Sequence, residues 1–268
     1  MSFVERLVVN VGSYILPPHA AFRLARAIFA TQGIGWAGPS NGMNRSGEAS
    51  FLKAYLGKIE NPIVLDVGAN VGDYASAALS ANSSAILHCF EPSVPHFAQL
   101  QKRIVGTRAY LNNFGLSERT EDLILHKDSE ITGLASLTNR DLSHLNITLD
   151  IEESVKLVAG DDYVSQNGIE RIDLIKIDVE GWEMSVLNGL AKSFETNMVK
   201  CCQFEFGHAH IERRENFRDF WNFFMSRGFR MGALRPNGKV NFISQYDEIY
   251  ENYYATNYVA VLKPKEAR

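Results

Sequence analysis

At 268 residues, with 46% hydrophobic and 22% charged side chains and a formal net charge of −4, the chain has the length and composition of one large globular α/β domain. The acidic balance gives no reason to expect nucleic acid, because binding its backbone needs a surplus of clustered Lys and Arg. Three cysteines, Cys89, Cys201 and Cys202, are too few for a disulfide framework. They read as buried free thiols, so a reducing, cytoplasmic setting is expected.

Residues 7–16 are mostly apolar, but Glu5 beside Arg6 stands where a secretion signal would carry positive charge. Pro17 and Pro18 then close the run far short of a membrane span, so no integral membrane segment is expected. Residues 19–31 set Phe22, Ala25, Ile28 and Phe29 at helical spacing, with Arg23 and Arg26 off that stripe. The spacing predicts a helix packed over the domain or capping its cleft, with a membrane-surface helix as the alternative. Residues 33–47, rich in Gly, Ser and Asn, read as a loop. The chain therefore divides into a helical arm over 1–47 and a main domain over 48–268. A homodimer follows if the apolar arm packs on a second copy.

From residue 60 strand-like and helix-like segments alternate, the pattern of a parallel sheet covered on both faces. Residues 62–67 (PIVLDV) predict a buried strand that ends in an acid and a Gly-rich turn, and 74–81 a helix. Residues 85–90 give a second strand stopped by Glu91-Pro92, and 95–104 a helix with Pro95 near its start. Residues 108–116 read as a third strand running into a turn. The stretch 117–160 is irregular, with short strands at 123–126 and 155–158. Asp161 is placed as the N-cap of a helix ending at Gln166. Residues 172–178 (IDLIKID) suit a central strand in which Lys176 is the odd member, a buried partner for an acid. A helix at 182–190, strands at 199–206 and 229–234, a helix at 216–227 and an edge strand at 257–262 complete the reading.

The strongest local signal is Asp66-Val67-Gly68-Ala69-Asn70-Val71-Gly72, directly after a strand and before a helix. Glycines at such a turn let the backbone approach a ligand and aim helix N-terminal N–H groups at it. A dinucleotide fingerprint would read G-x-G-x-x-G, but Asn70 holds the middle glycine position and the third glycine has no match. Asp66 would also repel a pyrophosphate. S-adenosylmethionine has no phosphate and carries an ammonium and a sulfonium, so an acid here suits it. Glu91 ends the second strand, where an acid accepts both ribose hydroxyls. Proteins that bind NAD place an acid similarly, so Glu91 alone does not discriminate, and a tight turn without a ligand stays open.

The segments VLDVGANVGDYAS, HCFEPSVPHFAQL, NNFGLSE, IDLIKIDVEGWEMSVLNGL and QFEFG follow in the order and spacing of FkbM-type methyltransferases. Over residues 60–262 the chain resembles that family. The resemblance implies a class I methyltransferase (Rossmann-like) fold, a doubly wound, mostly parallel seven-stranded sheet with helices on both faces. It implies S-adenosyl-L-methionine as cofactor and a hydroxyl acceptor on a sugar, glycan or polyketide-like metabolite. It also implies that Asp66, Gly68, Asn70, Gly72 and Glu91 line the cofactor and that the turn at Asn113 lies near the adenine.

Asp178-Val179-Glu180-Gly181 ends its strand at the sheet edge where open parallel sheets bind ligands. Glu205 ends the next strand, with His208 and His210 just beyond, so three carboxylates and two imidazoles are expected at one cleft. Methyl transfer is an in-line displacement that depends on alignment. A hydroxyl is a poor nucleophile, so a base or a metal must help remove its proton. Asp178, Glu180, Glu205 and His208 form the candidate catalytic set, Asp178 also as a contact for the cofactor's amino group. The alternatives are a helix N-cap for Asp178, a first-turn acid for Glu180, an ion pair with Lys176 for Glu205 and an exposed loop histidine for His208. Oxygen ligands from Asp178 and Glu205 would suit Mg²⁺ and nothing suits Zn²⁺; a site without metal is expected. The aromatic and Asn-rich stretch 246–258 is either an acceptor wall or a surface loop.

Two rival functions share the architecture. A nicotinamide-dependent oxidoreductase is opposed by the missing glycine and by the lack of a Tyr-x-x-x-Lys pair; a non-catalytic cofactor-binding module would keep the pocket without turnover. The expected partner is a small-molecule or carbohydrate hydroxyl acceptor, selected by the arm and by residues 117–160 and 207–215.

Overall fold

The computed structural model describes residues 3–36 and 42–264. Helices α1 (Phe3–Ile15) and α2 (Pro18–Thr31) come first, split at Pro17-Pro18, with Pro18 at the first position of α2 where its missing N–H costs nothing. α2 buries no side chain, and Phe22 is 70% exposed, so the expected packing of its stripe over the domain does not occur. Only the end of α2 meets the body, where Phe29 packs on the core and the Gly35 N–H donates to Thr256 Oγ1 at 2.9 Å. Within the loop expected over 33–47, residues 37–41 lie outside the described residues and the rest holds a helical turn, α3 (Gly42–Ser46).

The remaining elements are α4 (Glu48–Leu56), β1 (Ile63–Val67), α5 (Asp73–Ala81), β2 (Ile86–Phe90), α6 (Val94–Arg103), β3 (Ala109–Asn112), β4 (Gly115–Ser117), β5 (Glu121–Lys127) and β6 (Ile151–Ala159). They continue with α7 (Gly160–Gln166), β7 (Leu174–Ile177), α8 (Glu183–Gly189), α9 (Ala191–Glu195), β8 (Cys201–Phe206), α10 (Phe217–Met225), β9 (Phe229–Leu234), β10 (Val240–Phe242) and β11 (Thr256–Leu262). The main sheet runs β10-β9-β11-β8-β7-β1-β2-β3. It is the doubly wound α/β sheet anticipated, with eight strands instead of seven because β10 folds back on β9 as a short hairpin.

Strands β1, β2, β3, β7 and β8 are mutually parallel, while β11 runs antiparallel between β8 and β9. The 257–262 segment is therefore an interior strand and not the expected edge. Its alternation agrees: Tyr258 and Ala260 enter the core on one face and Val259 the core on the other. Helices α4–α6 cover the face carrying Val64, Leu87 and Leu174; α7–α10 cover the face carrying Leu65, Ile175, Ile177 and Phe204.

The expected third strand splits. β3 ends at Asn112, and β4 belongs to a second sheet of order β4-β6-β5. The short strands expected at 123–126 and 155–158 are longer, pairing antiparallel from Glu121↔Leu157 to Lys127↔Ile151. Asp161 does not cap its own helix, whose N-cap is Ala159. Its carboxylate instead accepts the N–H groups of Lys192 (2.9 Å) and Ser193 (3.0 Å) and the Ser193 hydroxyl (2.5 Å), capping α9. Asp161→Ala is expected to cost about 1–2 kcal/mol in urea unfolding; a loss indistinguishable from zero would show that α9 does not depend on this cap.

Candidate active site

Alternation along β1 decides where Asp66 goes. It points with Val64 toward the α4–α6 face, beneath α5. Asp66 is fully buried; neither oxygen reaches full hydrogen-bond geometry among the described residues, and the Ala75 N–H of α5 only weakly favours its charged form. Burial lifts its pKa to about 6, against the pull of the Lys176 ammonium. In register, Asp66 lies opposite Lys176 of β7, and Lys176 opposite Gln203 of β8, so one row of polar side chains crosses the sheet.

Helices stack further polar groups on that row. Lys176 Nζ lies 2.8 Å from Asp178 Oδ2 and 5.2 Å from the Tyr74 ring centroid. Burial would lower this amine, but the carboxylates of Asp178, Asp66 and Glu48 overcome it and hold its pKa above the ordinary lysine value. Tyr74 donates to Gln203 Oε1 (2.9 Å), Gln203 donates to Glu48 Oε1 (2.7 Å), and Ser46 donates to Glu48 Oε2 (2.7 Å).

Over the carboxyl ends of β1, β2, β7 and β8 opens a cavity of about 630 Å³, within the size range of small-molecule sites. Gly68, Asn70, Glu91, Asp178, Glu180, Glu205 and His208 all line it, as do Glu48, Tyr74 and Lys176. Gly68 has a φ of 81°, and a Cβ there would collide with the Asp178 carbonyl oxygen; only glycine lets the two strand ends meet. Asn70, also left-handed at φ 48°, donates its N–H to Glu91 Oε2 (2.8 Å), while the Ser93 N–H reaches Glu91 Oε1 (2.9 Å). Burial raises Glu91 to about pKa 7, with these two donors opposing.

Three residues expected at the cofactor stand behind the wall instead. Asp66 shares its face with the lining residue Lys176, but it lies one residue short of the end of β1 and is fully buried under α5. Gly72 begins α5 in a left-handed conformation, where a Cβ would crowd Leu100. The Asn113 amide donates to the carbonyls of Glu91 and Pro92, both at 3.0 Å, bracing the backbone that presents Glu91.

At the β7 end, Glu180 adopts φ 53°, an uncommon conformation for a long side chain. The turn is held from below by Glu183, which accepts the Val179 and Gly181 N–H groups, each at 2.9 Å. His210 lies 2.8 Å from Glu183 Oε2 and is 1% exposed. It is thus a buried partner of Glu183, not the second cleft imidazole expected. Its burial opposes protonation, but Glu183 wins and raises its pKa.

Glu180 Oε2 pairs with Arg140 Nη1 at 2.9 Å, and Arg140 also donates to the Leu134 carbonyl at 2.8 Å. Burial and Asp178 raise Glu180 to about pKa 7 while Arg140 counters. Glu205 is pushed well above the carboxylate range by burial and then by Asp178, Glu180 and Glu183. Lys176 pairs with Asp178 and not with Glu205. Burial and then Arg140 lower His208, keeping its imidazole neutral near pH 7.

Several lining residues escaped the sequence reading. Thr132, Gly133, Leu134, Ala135 and Leu137 come from the irregular stretch before Arg140, where no periodicity marked them. Glu48, Tyr74 and Gln203 were also missed; a Gln inside the apolar run CCQFEF was the available signal. Of the stretch 246–258, Ala255 and Asn257 line the cavity, while Tyr246, Tyr250, Tyr253 and Tyr258 pack in or against the core.

Residues 66–231 match the profile of the methyltransferase FkbM domain. The chain is 31% identical over 140 residues to the 2-O-methyltransferase NoeI of Sinorhizobium fredii, covering 48% of this chain and 57% of that protein. It is 29% identical over 154 residues to the hexuronic acid methyltransferase AglP of Haloferax volcanii, covering 56% and 59%. The matched region spans less than two thirds of either relative. The crystal structure of a SAM-dependent methyltransferase from Agrobacterium tumefaciens aligns at a TM-score of 0.44 and 10% identity, over 83% of this chain and 62% of that one.

With its pKa raised from 3.8 to about 6, Asp66 keeps a proton in the native state that the unfolded chain has released between those values. Its contribution to stability therefore falls as pH rises through that window. In Asp66→Asn this decline should vanish, so urea unfolding at about pH 4 and about pH 8 should differ less than in wild type. Equal pH dependence in the two proteins would refute the burial of a protonated Asp66.

Proposed function

Because this chain belongs to the methyltransferase FkbM domain family, we propose that it moves a methyl group from S-adenosyl-L-methionine to a hydroxyl of a small-molecule or carbohydrate acceptor. One observation carries this reading. A single cavity gathers the glycine turn after β1, the acid that ends β2, and the acids and imidazole beyond β7 and β8.

The lining suits S-adenosylmethionine. Glu91 offers a carboxylate for paired ribose hydroxyls, and Asp178 one for the ammonium. Leu116, Leu125, Leu157 and Trp182 supply an apolar slot for a flat base. The bound cofactor supplies an electrophilic methyl carbon. The chain supplies the rest: His208, neutral near pH 7, accepts the proton of the acceptor hydroxyl. The charge it gains lies in a cavity shared with Asp178 and Glu180. Burial and then the neighbouring acids favour the protonated form of Glu205, which can both donate to and accept from a sugar hydroxyl.

Charge also bears on the acceptor. Lys176 is already paired with Asp178, and Arg140 with Glu180. Glu48 faces the same space with only neutral hydrogen-bond partners, Gln203 and Ser46. An acceptor carboxylate would meet like charge there. A neutral hydroxyl compound fits better than the hexuronic acid class that gives the Haloferax relative its name.

Calorimetric titration with S-adenosylhomocysteine should give binding that Glu91→Ala weakens by at least roughly tenfold, the worth of a lost hydrogen bond to a charged group. No binding by folded protein would remove the methyltransferase reading, and binding of NAD in its place would revive the oxidoreductase. His208→Ala should lower kcat about 100-fold or more and leave cofactor binding intact. On sugars matched except for charge, transfer of labelled methyl should favour the neutral member; preference for the uronate would defeat the charge argument.

A further inference from the structure

Helices α1 and α2 carry an apolar surface that methyl transfer does not use. On α1, Leu7, Val8, Val11, Tyr14 and Ile15 recur at the spacing of one helix face and all are exposed, Tyr14 by 92%. On α2, Phe22, Leu24 and Ile28 are exposed as well. Contiguous exposed apolar side chains on this scale mark a docking surface, unlike single ones scattered over a domain.

Charge identifies the occupant. Up to Thr31 the sequence holds three arginines, Arg6, Arg23 and Arg26, and one acid, Glu5, in a chain whose net charge is −4. Arg6 and Arg23 form no ion pair among the described residues. Arg26 reaches the Tyr254 ring at 5.8 Å. No helix among the described residues is long and apolar enough to cross a membrane. Short amphipathic helices with an apolar stripe bordered by arginine lie in the plane of a bilayer surface. A second copy would bring an arm of the same sign, whereas anionic headgroups complement it.

We propose that α1 and α2 dock in the interface of an anionic lipid bilayer, with their apolar side chains at the acyl boundary and their arginines at headgroup phosphates. The root of the arm is fixed to the body. Gly33 packs so closely on the Leu234 carbonyl that a Cβ would collide with it, and Arg235 Nε donates to the Thr31 carbonyl at 3.2 Å. Gly35 binds Thr256, the residue before Asn257, which lines the cavity. A docked arm therefore holds the cavity at a set distance from the membrane and suits an acceptor displayed at that surface.

The test is flotation of the full chain with vesicles of phosphatidylcholine alone or with about 30 mol% phosphatidylglycerol, at low and high salt. Wild type should rise with the anionic vesicles, and salt should reduce this. Arg6→Glu/Arg23→Glu should weaken partition at least about tenfold while keeping the wild-type Tm. Phe22→Ser/Ile28→Ser should weaken it at both salt concentrations. The proposal falls if wild type ignores anionic vesicles or if the charge-reversed variant partitions equally. It also falls if the arm instead holds a dimer in lipid-free buffer that Phe22→Ser/Ile28→Ser dissociates. None of these outcomes depends on cofactor binding, so the methyltransferase reading stands or falls separately.

Discussion

A buried ammonium needs carboxylates, and Lys176 in the middle of β7 imposes that need on everything around it. An unpaired charge at this depth would cost several kcal/mol. Asp178 pairs with it directly, Asp66 sits opposite it in the next strand, and Glu48 arrives through Gln203 and Tyr74. The result ties together β1, β7, β8, α4 and α5, and it settles which acids remain for a ligand. Asp66 is committed to the interior; Asp178 is shared between the row and the cavity. Residues before β1 thereby become part of the site.

The cover of the cavity is fastened beside Glu91. Glu153 on β6 forms a 2.6 Å ion pair with Lys127 on β5. It also accepts from the Ser93 hydroxyl (2.8 Å) and the Val94 N–H (2.7 Å) at the start of α6. The His96 ring meets the Thr132 backbone on the same side. The small second sheet and the segment that follows β5 are thus anchored to the turn that presents the expected ribose acid. The irregular segment that lines the cavity is pinned at its base.

Much of this was legible in the residues. β1, β2, β8 and β9 are apolar on both faces, and such runs announce themselves by composition. The glycine turn and Glu91 are local features. What stayed hidden depended on distant partners. β5 and β6 carry exposed acids such as Glu121, Asp122 and Glu152, which blurred their extent. Asp161 caps a helix thirty positions away, and His210 turns inward because Glu183 waits there. The parity of β1 could be counted in advance, since Val64 and Asp66 share a side. That α5 would close over Asp66 while leaving Lys176 on the same face open to the cavity was a tertiary fact.

The left-handed backbone at Glu180 sets a conflict for random mutation. A change to glycine there would relieve a conformation that costs a side-chain-bearing residue of order 1 kcal/mol, and one nucleotide suffices to make it. The same change would remove the partner of the buried Arg140, at 2.9 Å, and leave its guanidinium unpaired. A lineage that relaxes the turn with glycine is therefore expected to lose the arginine as well, so the identities of positions 180 and 140 should change together.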